Sequence, residues 1–211
     1  MKKIKHSSNN VPPAPLSKLR RALPWILVVC GAIGLFASFI LTTDTISSLQ
    51  NPHFQPACDL NPIVSCGSVM KSGQADVFGF INPIVGLAGF PILITIGAAM
   101  LAGAQFKRWF WRGIQVGLTL GIAFAYWMLA ESIFRIQALC PYCLSVDAVM
   151  TTAFWYITLY NFNEGNIGLP AQLRPWGRFV KRHHIDIIVA WFLVILVIIL
   201  NHFWYYFGQH I

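Results

Sequence analysis

Five long stretches almost without charge dominate this sequence, at roughly Leu23–Thr43, Pro83–Gly103, Gly113–Ile133, Leu144–Phe162 and Ile185–Tyr206. About 20 apolar residues in helical form are needed to cross the hydrocarbon core of a bilayer. Lipid offers backbone groups no hydrogen-bond partners, so continuous apolar runs of this length cross as α-helices. Only 10% of the 211 residues are charged, whereas a soluble domain carries about 25%. The expected fold is therefore an all-α membrane protein with five transmembrane helices. It divides into a cytoplasmic N-terminal tail over residues 1–22, one membrane domain over 23–207 with an extracytoplasmic loop over about 44–82, and a short C-terminal tail over 208–211.

The distribution of basic residues orients these helices. Lys2, Lys3, Lys5, Lys18, Arg20 and Arg21 precede the first stretch, Lys107, Arg108 and Arg112 lie between the second and third, and Arg174, Arg178, Lys181 and Arg182 lie between the fourth and fifth. Only Lys71 and Arg135 occupy the alternate connections. The positive-inside rule then places the N-terminus in the cytoplasm. It also accounts for the net charge of +8 without a nucleic-acid partner, since a binding patch would not segregate by membrane side. The basic lead Met1–Arg21 resembles a signal peptide, but the apolar run after it is too long and Thr42-Thr43-Asp44-Thr45 offers no small-residue cleavage site, so an uncleaved helix is expected. Ser7–Asn10 and the proline-rich Val11–Pro15 read as an extended lead.

Topology sorts the five cysteines. Cys30 lies in the first span, near its cytoplasmic end, and reads as a small packing residue. Cys58 and Cys66 fall in the long external loop, and Cys140 and Cys143 at the external mouth of the fourth span. Four cysteines facing one oxidising compartment are expected to be oxidised or redox-active. In Cys140-Pro141-Tyr142-Cys143, Pro141 suits the first helical position, which makes Cys140 the N-cap and places Cys143 in the first turn. Unpaired N–H groups and the helix dipole favour a thiolate there. A thiol–disulfide relay is the reading that uses this placement; two inert structural disulfides do not need it, and a four-thiolate zinc site is disfavoured by the wide spacing of Cys58 and Cys66. No metal is expected.

Other features carry weaker signals. Pro62–Met70 suits a short helix along the membrane surface, with Cys66 toward its far end and Cys58 left free in solvent. Gly113, Gly117 and Gly121 repeat every four residues, a spacing that lets helices approach closely, here within the chain's own bundle rather than at a dimer face. His53 reads as a solvated loop histidine and Glu131 as an interfacial acid.

Cys58-Asp59-Leu60-Asn61-Pro62-Ile63-Val64-Ser65-Cys66, followed by Asn82 and Gly86 opening one span and by Cys140-Pro141-Tyr142-Cys143 opening a later one, resembles the bacterial branch of the vitamin K epoxide reductase family over about Leu23–Phe162. The resemblance implies a four-helix bundle around a quinone, ubiquinone or menaquinone, capped from outside by the cysteine loop. In family terms Cys58 takes electrons from a partner's dithiol, Cys66 passes them to Cys140, and Cys143 faces the quinone. Asn82 matches the asparagine that hydrogen-bonds a quinone oxygen, although it also suits a helix N-cap before Pro83. Asp147, one turn after Cys143, stands where the family usually has an aromatic residue beside the quinone, so it too is expected at the quinone site, as a proton-relaying carboxyl or as an interfacial acid. Many bacterial relatives carry a fused thioredoxin-like domain after the fifth span. This chain stops at Ile211, which implies a separate extracytoplasmic thioredoxin-like thiol oxidase as partner. The implied function is a thiol oxidase of a bacterial-type inner membrane. A quinone-epoxide reductase using the same relay, and a non-catalytic membrane protein with structural disulfides, are its rivals.

Overall fold

The computed structural model describes residues 15–51, 53–167, 179–180 and 182–204, with side chains from Leu19 onward. Of the expected extended lead Ser7–Pro15, Pro15 instead opens the first helix, while residues 7–14, the C-terminal tail over 208–211, and Arg174, Arg178 and Lys181 lie outside the described residues. The chain is an all-α membrane protein. Its elements are α1 (Pro15–Gln50), the short α2 (Cys66–Met70), α3 (Pro83–Leu101), α4 (Arg108–Glu131), which runs into a π-helical turn (Ser132–Ile136), α5 (Pro141–Asn163) and α6 (His184–His202).

Among the described residues, four helices are long and apolar enough to cross a membrane, over Leu19–Gln50, Pro83–Leu101, Arg108–Ile136 and His184–His202. At 1.5 Å per residue α5 is also long enough, about 35 Å, but it is more polar. Several of its polar groups are satisfied inside the bundle: Thr151 Oγ1 bonds the Asp147 carbonyl at 2.7 Å, Thr158 accepts from Gln115 at 2.9 Å, and Asn161 donates to the Gln115 side chain at 2.9 Å. A helix shielded by its neighbours does not need the hydropathy of one facing lipid.

α1 packs along α3 and α5, and α5 along α4. Leu23, Leu27, Phe90, Ile96, Trp111, Leu118, Ala153 and Ile157 form the core of this four-helix bundle, and Cys30 is buried among them with a free thiol. α6 packs lightly, touching α5 and donating from Trp191 Nε1 to the Tyr126 hydroxyl of α4 at 2.7 Å, and none of its residues is fully buried, so most of its apolar surface faces outward, as lipid contact allows.

Close helix approach does rest on glycine, but not on the expected stripe. A Cβ on Gly97 of α3 would lie 2.7 Å from the Pro24 carbonyl oxygen of α1, and one on Gly34 would overlap the Phe90 ring. At Gly113 and Gly117 an added Cβ would meet nothing within 4 Å, and at Gly121 only the end of Met150. The stripe does not mediate packing; its lack of side chains leaves space between α3 and α4.

The segment before α2 also departs from expectation. Only Cys66–Met70 is helical, because Ser65 caps it: its Oγ accepts from the Ser68 N–H at 3.0 Å. Cys66 is thus the first residue of the helix, not its far end. The residues ahead of it are held extended instead, with Val64 paired in parallel to Leu139.

Candidate redox site

The loop from Cys58 to Cys66 is a small knot tied by two side chains. Asn61 Oδ1 accepts the N–H groups of Ile63 (3.0 Å) and Val64 (2.7 Å), which turns the chain. Asp59 Oδ1 accepts the Gly67 N–H at 2.9 Å and the Ser65 hydroxyl at 3.0 Å. Glycine at 67 leaves room for this carboxylate, since a Cβ would sit 2.6 Å from Asp59 Oδ2. The knot brings Cys58 and Cys66 together, and they are disulfide-bonded.

A second constraint aligns this loop with α5. The π-helical turn after α4 ends at Gln137, whose left-handed φ of 57° reverses the chain. Ala138 and Leu139 then run beside the loop: the Leu139 N–H bonds the Ile63 carbonyl at 2.6 Å, and the Ser65 N–H bonds the Leu139 carbonyl at 3.0 Å. Cys66 directly follows Ser65, and Cys140 directly follows Leu139. As a result Cys66 Sγ and Cys140 Sγ stand 3.3 Å apart although 74 residues separate them.

Cys140 is the N-cap of α5 with Pro141 at the first position, and its sulfur accepts the Cys143 N–H at 3.3 Å. Cys140 and Cys143 are unbonded thiols. The Cys143 side chain hydrogen-bonded to it holds the Cys140 thiol below its ordinary range, aided by the Cys143 and Tyr142 backbone N–H groups and opposed by burial and the Asp147 charge. Cys66 and Cys140 are fully enclosed at 0% and 2% exposure, packed with Leu41, Val69 and Ala138. Cys58 is buried as well, at 7%, which corrects the expectation of a free solvent thiol; it is shielded by the same knot that positions it.

Below the cysteines lies a cavity of about 370 Å³, within the range of small-molecule sites. Cys66, Cys140, Cys143, Asp147, Asn82 and Ser132 line it near the loop, and Gly113, Ile114 and Gly117 line it farther along α4. Ser132 and Gly113 are 19 positions apart, so the cavity extends roughly 28 Å along this helix. The cavity also takes in all three residues of the glycine stripe, which gives that stripe its role.

Asn82 occupies the N-cap position of α3, yet its side chain does not cap. The amide nitrogen donates instead to the Gln74 carbonyl at 2.6 Å and approaches Met128 Sδ at 3.7 Å. Contact with a carbonyl oxygen requires the nitrogen on that side, so Oδ1 is the atom left over, buried and without a partner. An orphaned buried acceptor costs about 1–3 kcal/mol, and a ligand hydroxyl would satisfy it. Gln74 is itself held by Glu131, its Nε2 donating to Oε2 at 3.2 Å, while Arg135 pairs with the same oxygen at 3.3 Å. Glu131 is therefore a buried, ion-paired anchor for the Asn82 segment, not an interfacial acid. His53 is exposed, as a solvated loop histidine should be.

Residues 25–158 match the family model described as the vitamin K epoxide reductase family. The chain belongs to the vitamin K epoxide reductase family. No curated protein matches the sequence as a relative. Family membership makes this chain a membrane oxidoreductase, in a family whose chemistry is quinone-linked disulfide exchange. The cavity fits the group that such chemistry needs: it is mostly apolar, elongated, adjoins two thiols, and has in its wall Asn82, whose buried Oδ1 lacks a partner.

Asp59, Gln74 and Glu131 carry positioning roles that the sequence did not reveal. Only Asp59 left a trace there, as the acid beside Cys58. Replacing Asp59 by Ala removes both bonds that tie the loop to α2. The expected result is faster hydrogen exchange at the Gly67 amide by tenfold or more, corresponding to a local loss of about 1–3 kcal/mol. An unchanged exchange rate would show that Asn61 and the Cys58–Cys66 disulfide hold the knot without Asp59.

Proposed function

We propose that this family member is a thiol oxidase that draws two electrons from an extracytoplasmic thioredoxin-like protein and delivers them to a membrane quinone. The 3.3 Å separation of Cys66 Sγ and Cys140 Sγ is the observation that carries this reading, because two structural disulfides would not need their sulfurs within exchange distance of each other. We read residues 23–207 as one membrane domain with five crossings, α5 included, and the basic segregation supports a cytoplasmic N-terminus with all four cysteines outside.

Each transfer is a thiol–disulfide exchange through a mixed disulfide. The partner's thiolate attacks Cys58, breaking its bond to Cys66, and the partner's second thiol then resolves the mixed disulfide, leaving Cys58 and Cys66 as a dithiol. Cys66 attacks Cys140 when that is bonded to Cys143, releasing the Cys143 thiolate. Cys58 then attacks Cys66 and releases Cys140. The loop is again a disulfide and the α5 pair a dithiol, the same bonding found in the structure. A quinone in the cavity supplies an acceptor for two electrons and two protons. Cys143, one helical turn after Cys140 and also in the cavity wall, is the thiol we read as facing the quinone. The helix N-terminus favours the Cys140 thiolate as a leaving group, and the apolar walls exclude water from the exchange.

Purified full-length protein mixed with a reduced thioredoxin-like dithiol and a short-chain ubiquinone or menaquinone tests this. One quinol should form for each dithiol oxidised. No quinol with any such dithiol would overturn the thiol-oxidase reading, and turnover of a quinone epoxide in its place would favour the reductase.

A further inference from the structure

The cavity contains one carboxyl group, and that group has no structural employment. Of the residues lining the cavity only Cys66, Cys140, Cys143 and Asp147 can exchange a proton. The Asp147 carboxyl makes no hydrogen bond and no ion pair among the described residues; only its backbone carbonyl is used, by Thr151 Oγ1 at 2.7 Å. Glu131 provides the contrast, since it is buried and is paired with Arg135 and Gln74. A carboxyl enclosed in a bundle without a counter-charge is costly to keep, and acids retained at such depth mark proton or substrate paths. Asp147 holds no helix end and no loop. It lies four residues after Cys143, so the two project from one face of α5 about one turn apart.

We propose that Asp147 is the proton carrier of this cavity, its carboxylate taking the proton of the Cys143 thiol and passing it to a ring oxygen of the bound quinone. This rests on the quinone-reducing role proposed above. The balance closes without an outside donor. Forming the Cys140–Cys143 bond releases two electrons and the two thiol protons, and converting the quinone ring to a quinol takes up two of each. Asp147 moves one proton across the gap between sulfur and oxygen and returns to its ionised form. The removal of the proton makes Cys143 a thiolate next to the electron acceptor. The uptake of a ring hydrogen also creates the hydroxyl that the unpaired Asn82 Oδ1 can accept.

The test compares full-length wild type, Asp147→Asn and Asp147→Glu, each reduced and mixed with a short-chain ubiquinone for a single turnover. Three quantities are read: the rate of quinol formation, the Kd of the quinone for the oxidised protein, and the rate of exchange between the partner dithiol and the cysteines. Asn has the same shape but carries no transferable proton at neutral pH. Its quinol-forming step should slow by roughly 10²-fold, the range of general acid–base catalysis. Its Kd should stay within about threefold and its thiol exchange should be unchanged. Glu restores the carboxyl and should recover at least a tenth of the wild-type rate. An Asn variant that forms quinol at the wild-type rate would overturn the proposal while leaving the quinone-reducing role intact. So would an Asn variant whose defect is loss of quinone binding, since Asp147 would then be a binding group. If wild type itself forms no quinol, the functional reading falls and the proton role with it.

Discussion

Cys143→Ala should accumulate a disulfide between Cys66 and Cys140 and pass no electrons to quinone. The alanine removes the only thiol able to close on Cys140 from within its own helix, so Cys140 keeps whichever partner it meets first. Cys66 is that partner, with its sulfur 3.3 Å away and both groups locked by the Val64–Leu139 pairing. The cross-link should dominate after one exposure to oxidised partner, visible as linked peptides in a mass spectrum of non-reduced digests. Steady-state quinone reduction should drop to background, a loss of at least 10³-fold for a nucleophile that forms a covalent intermediate. A dominant Cys58–Cys140 cross-link would reverse the order of the two loop cysteines. Absence of any link between loop and α5 would sink the relay and restore the structural-disulfide alternative.

Gly117→Leu should block the cavity while leaving the fold sound. In most packed helices such a change overlaps a neighbour, but an added Cβ at Gly117 meets nothing within 4 Å. Leucine also favours the helix over glycine by nearly 1 kcal/mol. The new side chain must therefore occupy the cavity that Gly117 lines. Quinone affinity, measured by titration of the oxidised protein, should weaken tenfold or more, and partner–thiol exchange at the distant loop should continue at its normal rate. Gly97→Leu is the control of opposite sign. There the Pro24 carbonyl stands 2.7 Å from the added Cβ, and the α1–α3 contact, hence folding itself, should fail. Equal affinity in Gly117→Leu and wild type would mean that the ligand does not reach this part of the cavity.

The contrast between these glycines shows where a sequence stops being informative. A four-residue repeat of small residues marks a helix face that lacks side chains, and nothing in it says whether a neighbouring backbone or a void lies opposite. Gly113 and Gly117 face the void, while Gly34 and Gly97, which form no such repeat, take the close approach.

What the sequence determined by itself is what depends on local composition and short spacing. The apolar runs set the helices, because a lipid-exposed backbone has no other solution. Proline after Cys140 set the N-cap of α5 and with it the chemistry of the first thiol. The nine residues from Cys58 to Cys66, with the later asparagine and CxxC, were enough to indicate the family. The tertiary structure decided what depends on pairs far apart in the chain. The left-handed turn at Gln137 and the bridge from Val64 to Leu139 set the register that aligns Cys66 with Cys140. Gln74 and Glu131, 57 residues apart, set which atom of Asn82 is left unpaired. Enclosure buried Cys58, and the helix packing left Asp147, without an ion pair among the described residues, as the one carboxyl in the cavity wall. Such contacts depend on how helices pack and chains reverse, and no residue's own propensity encodes them.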